Sequence, residues 1–118
     1  MSINPSVSIL IPNFNGNTLL MRNLPSVLNC SRQYVGLSEI IVIDDGSLDK
    51  TYEVIKKQKT IRKFRNKINL GMGGAYKTGL EKSIGEYVIM IPGDNSHPAS
   101  SIKPIIDKRG TSDIIIPY

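Results

Sequence analysis

Four short aliphatic runs punctuate the chain: "VSILIP" (7–12), "IIVID" (40–44), "YVIMIP" (87–92) and "DIIIP" (113–117). None alternates apolar with polar residues, and each has the length and Ile/Val content of a strand buried on both faces. A more polar strand is expected near residues 61–65. Between the runs the apolar spacing becomes helical. Leu19, Leu20, Leu24, Val27 and Leu28 fall close to one face over residues 18–29, and a Ser/Asp start precedes a helix over 49–57. Ala75, Leu80 and Ile84 recur at helical spacing over 74–83, and a last helix over 99–107 begins just after a proline.

The predicted order is β-α-β-α-β-α-β-α-β. Such alternation implies an α/β fold, a Rossmann-like, mostly parallel sheet with helices on both faces. No internal repeat or linker-like stretch is visible, and 118 residues suit one domain. The final "TSDIIIPY" ends on a predicted strand, so the sequence reads as the first part of a longer architecture.

Composition narrows the picture further. A 40% hydrophobic, 21% charged chain without low-complexity tracts is globular rather than disordered or fibrous. Cys30 is the only cysteine, so no internal disulfide forms and nothing points to an oxidising compartment. The N-terminal stretch lacks a basic region and a long apolar segment, and cytoplasmic localisation is the expectation. Fifteen Lys+Arg against ten Asp+Glu give a net charge of +5, which suits an anionic partner: a nucleotide phosphate, a nucleic acid or an acidic membrane surface. The basic run "KKQKTIRKFRNK" (56–67) holds one aromatic residue and reads as a solvated helix face and edge strand rather than a nucleic-acid surface.

In open α/β sheets ligands bind beyond the carboxyl ends of the strands. There the sequence places Asn13-Phe14-Asn15-Gly16, Asp44-Asp45-Gly46-Ser47, Asn69-Leu70-Gly71-Met72-Gly73-Gly74 and Gly93-Asp94-Asn95. Gly46, Ser47 and Asp49 have ordinary turn and capping chemistry. Asp44 and Asp45 are harder to explain structurally, because adjacent carboxylates repel unless a cation or hydrogen-bond donors lie close by. A nucleotide base or ribose offers such donors.

The glycines from Gly71 could bring backbone N–H groups to an anion. They match neither the phosphate loop G-x-x-x-x-G-K-[ST] nor the dinucleotide fingerprint G-x-G-x-x-G, since Tyr76 stands where each needs glycine. Asp94 at a strand end could anchor a Mg²⁺ or Mn²⁺ ion carrying a diphosphate, because these cations take one or two carboxylates plus phosphate oxygens. His97 has no histidine or cysteine partner for zinc and reads as a loop residue. A hydrolase reading lacks the G-x-S-x-G elbow.

Together "VSILIPNFNG", "IIVIDDGSLDKT", "NLGMGGAYKTGL" and "GEYVIMIPGDNSHP" resemble the family 2 inverting glycosyltransferases of the GT-A fold. They match that family's P-x-Y-N-E, V-D-D-G-S-x-D-x-T, N-x-G-x-x-x-A-x-x-x-G and D-x-D stretches in order and spacing. The dolichol-phosphate mannosyltransferase-like and bacterial polyprenyl-phosphate branches are the nearest in pattern. The resemblance implies one nucleotide-sugar-binding domain over residues 1–118, the first half of such an enzyme. Pro12 and Phe14 would border the donor base, Ile43 and Asp45 would contact base or ribose, and Gly71 and Gly93 would sit beside the donor. Asp94 would hold the divalent Mg²⁺ or Mn²⁺.

The implied reaction moves a sugar from a UDP- or GDP-linked donor to an acceptor hydroxyl or lipid phosphate, with no nucleic acid involved and with contact at the inner membrane surface. Two positions depart from the pattern: Gly16 replaces a glutamate, and Pro92 replaces the first aspartate of D-x-D. No residue suggests itself as the catalytic base, which the family carries in its second half. Two other classes compete. A non-catalytic GT-A-like interaction domain would keep the sheet without ligand binding, and a nucleotidyltransferase would need a glycine- and basic-rich loop after the first strand, where only Gly16 and Arg22 occur.

Overall fold

The computed structural model describes residues 6–15, 22, 24–25, 28–29, 37–91 and 102–108. Its elements are β1 (Val7–Asn13), β2 (Leu37–Asp45), α1 (Thr51–Ile55), β3 (Arg62–Asn66), α2 (Gly71–Lys82), β4 (Tyr87–Met90) and α3 (Ile102–Asp107). Arg22, Leu24, Pro25, Leu28 and Asn29 are also helical, within the segment predicted to be a helix between β1 and β2. The sheet runs β3-β2-β1-β4 and every pairing is parallel. The chain steps outward from β1 through β2 to β3, then returns over α2 to pair β4 on the other side of β1. Strand order therefore reverses at β1.

Strand alternation divides the core in two. Val7, Ile9, Ile11, Ile40 and Val42 face one side with Leu24, Ile55, Ile61, Ile91 and Ile106. Leu10, Ile41 and Ile43 face the other with Ala75 of α2, joined by Phe64, Tyr76 and Val88. Every residue of β1 is buried, which is why its sequence shows no alternation.

Helix α2 departs from the sequence expectation at its start and on its face. It begins at Gly71 rather than Gly74 and packs on the sheet with Ala75 and Gly79, while Leu80 and Ile84 are 44% and 73% exposed. The small side chains let the helix lie close: a Cβ on Gly79 would stand 2.8 Å from Ile43 Cδ1 and 3.0 Å from Leu10 Cδ1. The polar strand is displaced by one residue, Arg62–Asn66. The predicted strand over 113–117 lies outside the described residues, as does Pro92 at the end of the fourth run.

Candidate functional site

The loops at the carboxyl edge are tied to one another. Asn15, whose φ of 50° is one that asparagine tolerates, accepts the Leu48 N–H at Oδ1 (2.7 Å) and donates its own N–H to Ser47 Oγ (2.9 Å). Ser47 in turn donates its N–H to Asp44 Oδ1 (3.1 Å). Ser47 thus joins two loops rather than capping α1; the N-cap position is Lys50, without a side-chain cap bond, and Asp49 just before it accepts the Thr51 N–H (2.9 Å). Gly46, at φ 74°, is pressed against the loop after β3, where a Cβ would lie 2.6 Å from both Ile68 C and Asn69 N.

Alternation sends Asp44 and Asp45 to opposite faces of the sheet, and the protein itself supplies the donors that the sequence reading assigned to a ligand. Asp45 Oδ1 accepts Asn66 Nδ2 (2.8 Å) and Leu70 N–H (3.0 Å). Asp44 Oδ2 lies 3.3 Å from Arg65 Nε, a charge contact that lacks hydrogen-bond alignment. The Arg65 guanidinium also stacks over Tyr52 at 5.2 Å and donates to Ser47 O (3.2 Å). Asn13 pairs with Asp44 in register, and its Nδ2 is buried without a hydrogen-bond partner.

A cleft of about 200 Å³ opens where β1, β2 and the first turn of α2 converge, lined by Pro12, Asn13, Phe14, Asp45, Asn69, Gly71, Met72 and Ala75. It lies at the carboxyl end of β1, where strand order reverses, the position that open α/β sheets use for ligands. Four sequence-predicted site residues, Pro12, Phe14, Asp45 and Gly71, meet there. Ile43 does not, because its side chain is fully buried beneath Gly79 of α2. Gly71 belongs to a helix rather than a free loop, with its N–H donated to Asn69 Oδ1 (2.7 Å). Gly93, Asp94, Gly16 and His97 lie outside the described residues. Asn13, Asn69, Met72 and Ala75 complete the lining; the first three stand in the stretches that the sequence places at the strands' carboxyl ends, whereas Ala75 was legible only as a helix residue.

At the amino edge Glu39 forms a second polar cluster. Its Oε1 accepts Arg62 Nη1 (2.5 Å), and its Oε2 accepts Ser8 Oγ and the Ile84 N–H (2.7 Å each). Burial pushes its carboxyl up, but the bonds from Arg62, Ser8 and Ile84 and the Arg62 charge outweigh that and hold it below the ordinary glutamate value. Among the described residues no three His, Cys, Asp or Glu side chains gather to hold a metal, and no helix is long and apolar enough to cross a membrane.

A parallel sheet with helices and a cleft at its switch point defines an α/β, Rossmann-like domain. Known sequences place it more finely: the Glycosyl transferase family 2 profile matches residues 8–116, and the chain belongs to that family. It is 37% identical over 95 residues to an uncharacterized glycosyltransferase of Haemophilus influenzae, covering 77% of this chain and 37% of that protein. It is 35% identical over 116 residues to the poly(ribitol-phosphate) beta-N-acetylglucosaminyltransferase TarP of Staphylococcus aureus, covering 93% of this chain and 35% of TarP. The chain thus spans about a third of the length of these relatives. In fold it is similar to the mannosyltransferase PcManGT of Pyrobaculum calidifontis, solved with GDP-Man and Mn²⁺. That match has a TM-score of 0.69 at 22% identity and covers 79% of this chain and 28% of PcManGT. These matches carry the family and the GT-A-type fold; they do not single out the dolichol-phosphate branch.

Proposed function

We propose that the cleft receives the nucleoside end of a UDP- or GDP-linked sugar, in the donor half of a glycosyltransferase that passes the sugar to an acceptor hydroxyl or lipid phosphate. One observation carries this reading: Pro12 near the end of β1, Phe14 just after it and Asp45 at the end of β2, drawn from two separate motifs, line one cleft at the switch point. Phe14 is 44% exposed and offers a ring face to a base, while Asp45 offers a carboxylate to N–H or O–H donors. The volume is below the roughly 300–1,000 Å³ of pockets that enclose a whole drug-sized ligand, so it suits a base and ribose with the diphosphate and sugar outside.

Asp94 is the residue proposed to hold a Mg²⁺ or Mn²⁺ ion. A hard cation needs one or two carboxylates besides phosphate oxygens, so the lack of a three-ligand cluster among the described residues is compatible with it. Such an ion supplies Lewis-acid stabilisation of the departing nucleoside diphosphate. The Mn²⁺ in the PcManGT complex supports this part of the proposal.

Titration calorimetry with UDP, GDP and their sugars, with and without Mn²⁺, tests it. Binding is expected to weaken on chelation of the metal, and by about 1–3 kcal/mol in Phe14→Ala, the worth of one base–aromatic stack. No binding of any of these at millimolar concentration with Mn²⁺ overturns the proposal. A protein that melts cooperatively yet binds none would be the non-catalytic domain that Pro92 and Gly16, each in place of a carboxylate, favour.

A further inference from the structure

We propose that Asn66 and Thr78 are positioning residues that act through Asp45 and set the affinity of the cleft for a nucleoside. This rests on the proposed function for the identity of the ligand, but the arrangement itself is independent of it. Three side chains from three elements form one hydrogen-bonded line: Thr78 Oγ1 of α2 donates to Asn66 Oδ1 of β3 (2.9 Å), and Asn66 Nδ2 donates to Asp45 Oδ1 at the end of β2 (2.8 Å).

The direction of the line follows from its ends. An ionised carboxylate only accepts, so Asn66 must turn its NH₂ toward Asp45 and its carbonyl oxygen toward Thr78. Thr78 then has to donate. Its other acceptor within reach, Gly74 O at 3.1 Å, is a carbonyl that the helix ladder already serves, and one hydroxyl proton cannot satisfy both. Asn66 is 9% exposed, so without the hydroxyl its carbonyl oxygen would be a buried acceptor lacking its donor. Turning the amide over would not relieve it, because that would present oxygen to oxygen at Asp45; the side chain can only shift toward another donor, which slackens the bond it gives Asp45.

The consequence reaches the cleft through the carboxylate. Asn66 Nδ2 and Leu70 N–H both fall on Oδ1 of Asp45, which fixes the rotation of the group and leaves Oδ2 outside that pairing. Asp45 lines the cleft beside Asn69 and Gly71, and the Leu70 N–H anchors the same segment. Thr78 and Asn66 are absent from the lining. Their effect on a ligand therefore passes through the orientation of Asp45 and the loop before α2.

The test compares the wild-type protein with Thr78→Val, which keeps the side-chain shape, and Thr78→Ser, which keeps the hydroxyl. Two measurements are made: UDP and GDP affinity with Mn²⁺ by calorimetry, and, without ligand, the Asn66 side-chain amide resonances and Leu70 amide exchange by NMR. The expected result is about tenfold weaker binding in Thr78→Val, the size of one lost hydrogen bond. It should come with shifted Asn66 resonances, faster Leu70 exchange and recovery to near wild type in Thr78→Ser. Should Thr78→Val fail to melt cooperatively, Thr78→Ala takes its place. Unchanged affinity in the valine or alanine variant overturns the inference even if the resonances move. If the wild type itself binds no nucleotide, it is the proposed function that fails. The ligand-free signals then judge the hydrogen-bonded line alone, and unchanged Asn66 and Leu70 signals overturn it.

Discussion

Strand β2 carries Glu39 near its amino end and Asp45 at its carboxyl end, and these two carboxylates are held differently. At the amino edge both oxygens of Glu39 are taken: Oε1 by Arg62, Oε2 by Ser8 and the Ile84 N–H. Arg62 also donates to Lys82 O (2.8 Å), and Ser8 Oγ accepts the Gly85 N–H (2.8 Å). The cluster thereby fastens the end of α2 and the approach to β4 onto β1 and β2. At the carboxyl edge the donors on Asp45 converge on one oxygen, and the residue opens onto a cleft. Around it Leu48, Ile68, Leu70 and Met72 stand half-exposed or more. A saturated carboxylate serves the fold; one bound on a single oxygen beside a cavity is oriented by the fold and remains able to meet a ligand.

The largest effect is expected where the carboxyl edge is pinned. Gly46→Val forces a β-branched residue into the left-handed region, at about 1–2 kcal/mol, and drives its side chain into the backbone of Ile68 and Asn69, at roughly 1–3 kcal/mol more. We expect a loss near 3 kcal/mol in urea denaturation, together with loss of nucleotide binding, because the displaced loop carries Asn69 and the Leu70 N–H. A cost under 1 kcal/mol would mean that the two loops are not locked together.

The amino edge should respond in stability alone. Glu39→Gln removes the charge that Arg62 pairs with but keeps an acceptor for Ser8 or Ile84. Arg62 is 42% exposed along its side chain and regains water readily, so the cost is about 1–2 kcal/mol rather than that of a buried pair. Nucleotide affinity should not change. The pH dependence has a definite sign. The carboxyl of Glu39 is held down in the folded state, so its contribution is fully present above the ordinary glutamate value of about 4.3 and disappears as pH falls through the lower folded value. The wild type should lose part of its stability over that acid range, and Glu39→Gln should show a flatter profile there. Equal slopes would remove Glu39 from the account of acid sensitivity.

The same contrast explains what the sequence could and could not convey. β1 and β2 were legible because burial on both faces leaves continuous Ile/Val runs. β3 was faint because it is an edge strand whose Arg62 and Arg65 face solvent, and it begins one residue later than its pattern suggests. The glycines after Asn69 concealed the first turn of α2, whose start depends on an asparagine side chain and a positive φ at Gly71. Phe14, Asp45 and Gly71 were found because each follows the carboxyl end of a predicted strand, and Pro12 through the family motif that closes the first run. Asn66 and Thr78 had no such signal: they lie 21 and 33 positions from Asp45, and only the β2–β3 register and the path of α2 bring them near it. The Glu39 cluster was missed for the same reason, since its partners come from positions 8, 62 and 84.

The smallest effect is expected on the exposed rim. Leu48 is 90% exposed, so its side chain leaves little apolar surface to lose, whereas its N–H is fixed by Asn15 Oδ1 at 2.7 Å. Leu48→Ser keeps that N–H and removes only a solvated side chain, so stability should stay within about 0.5 kcal/mol of wild type. Solubility should rise as an exposed apolar group is lost. Asn15→Ala supplies the contrast: it deletes the acceptor and places alanine at a φ that asparagine tolerates better, at about 1–2 kcal/mol. If Leu48→Ser proved as costly as Asn15→Ala, the leucine would have to be packed against something in solution, and the carboxyl edge would be as closed as the amino edge. Neutrality at Leu48 beside a clear loss at Asn15 would show that this edge is held by its backbone, which leaves its side chains available for binding.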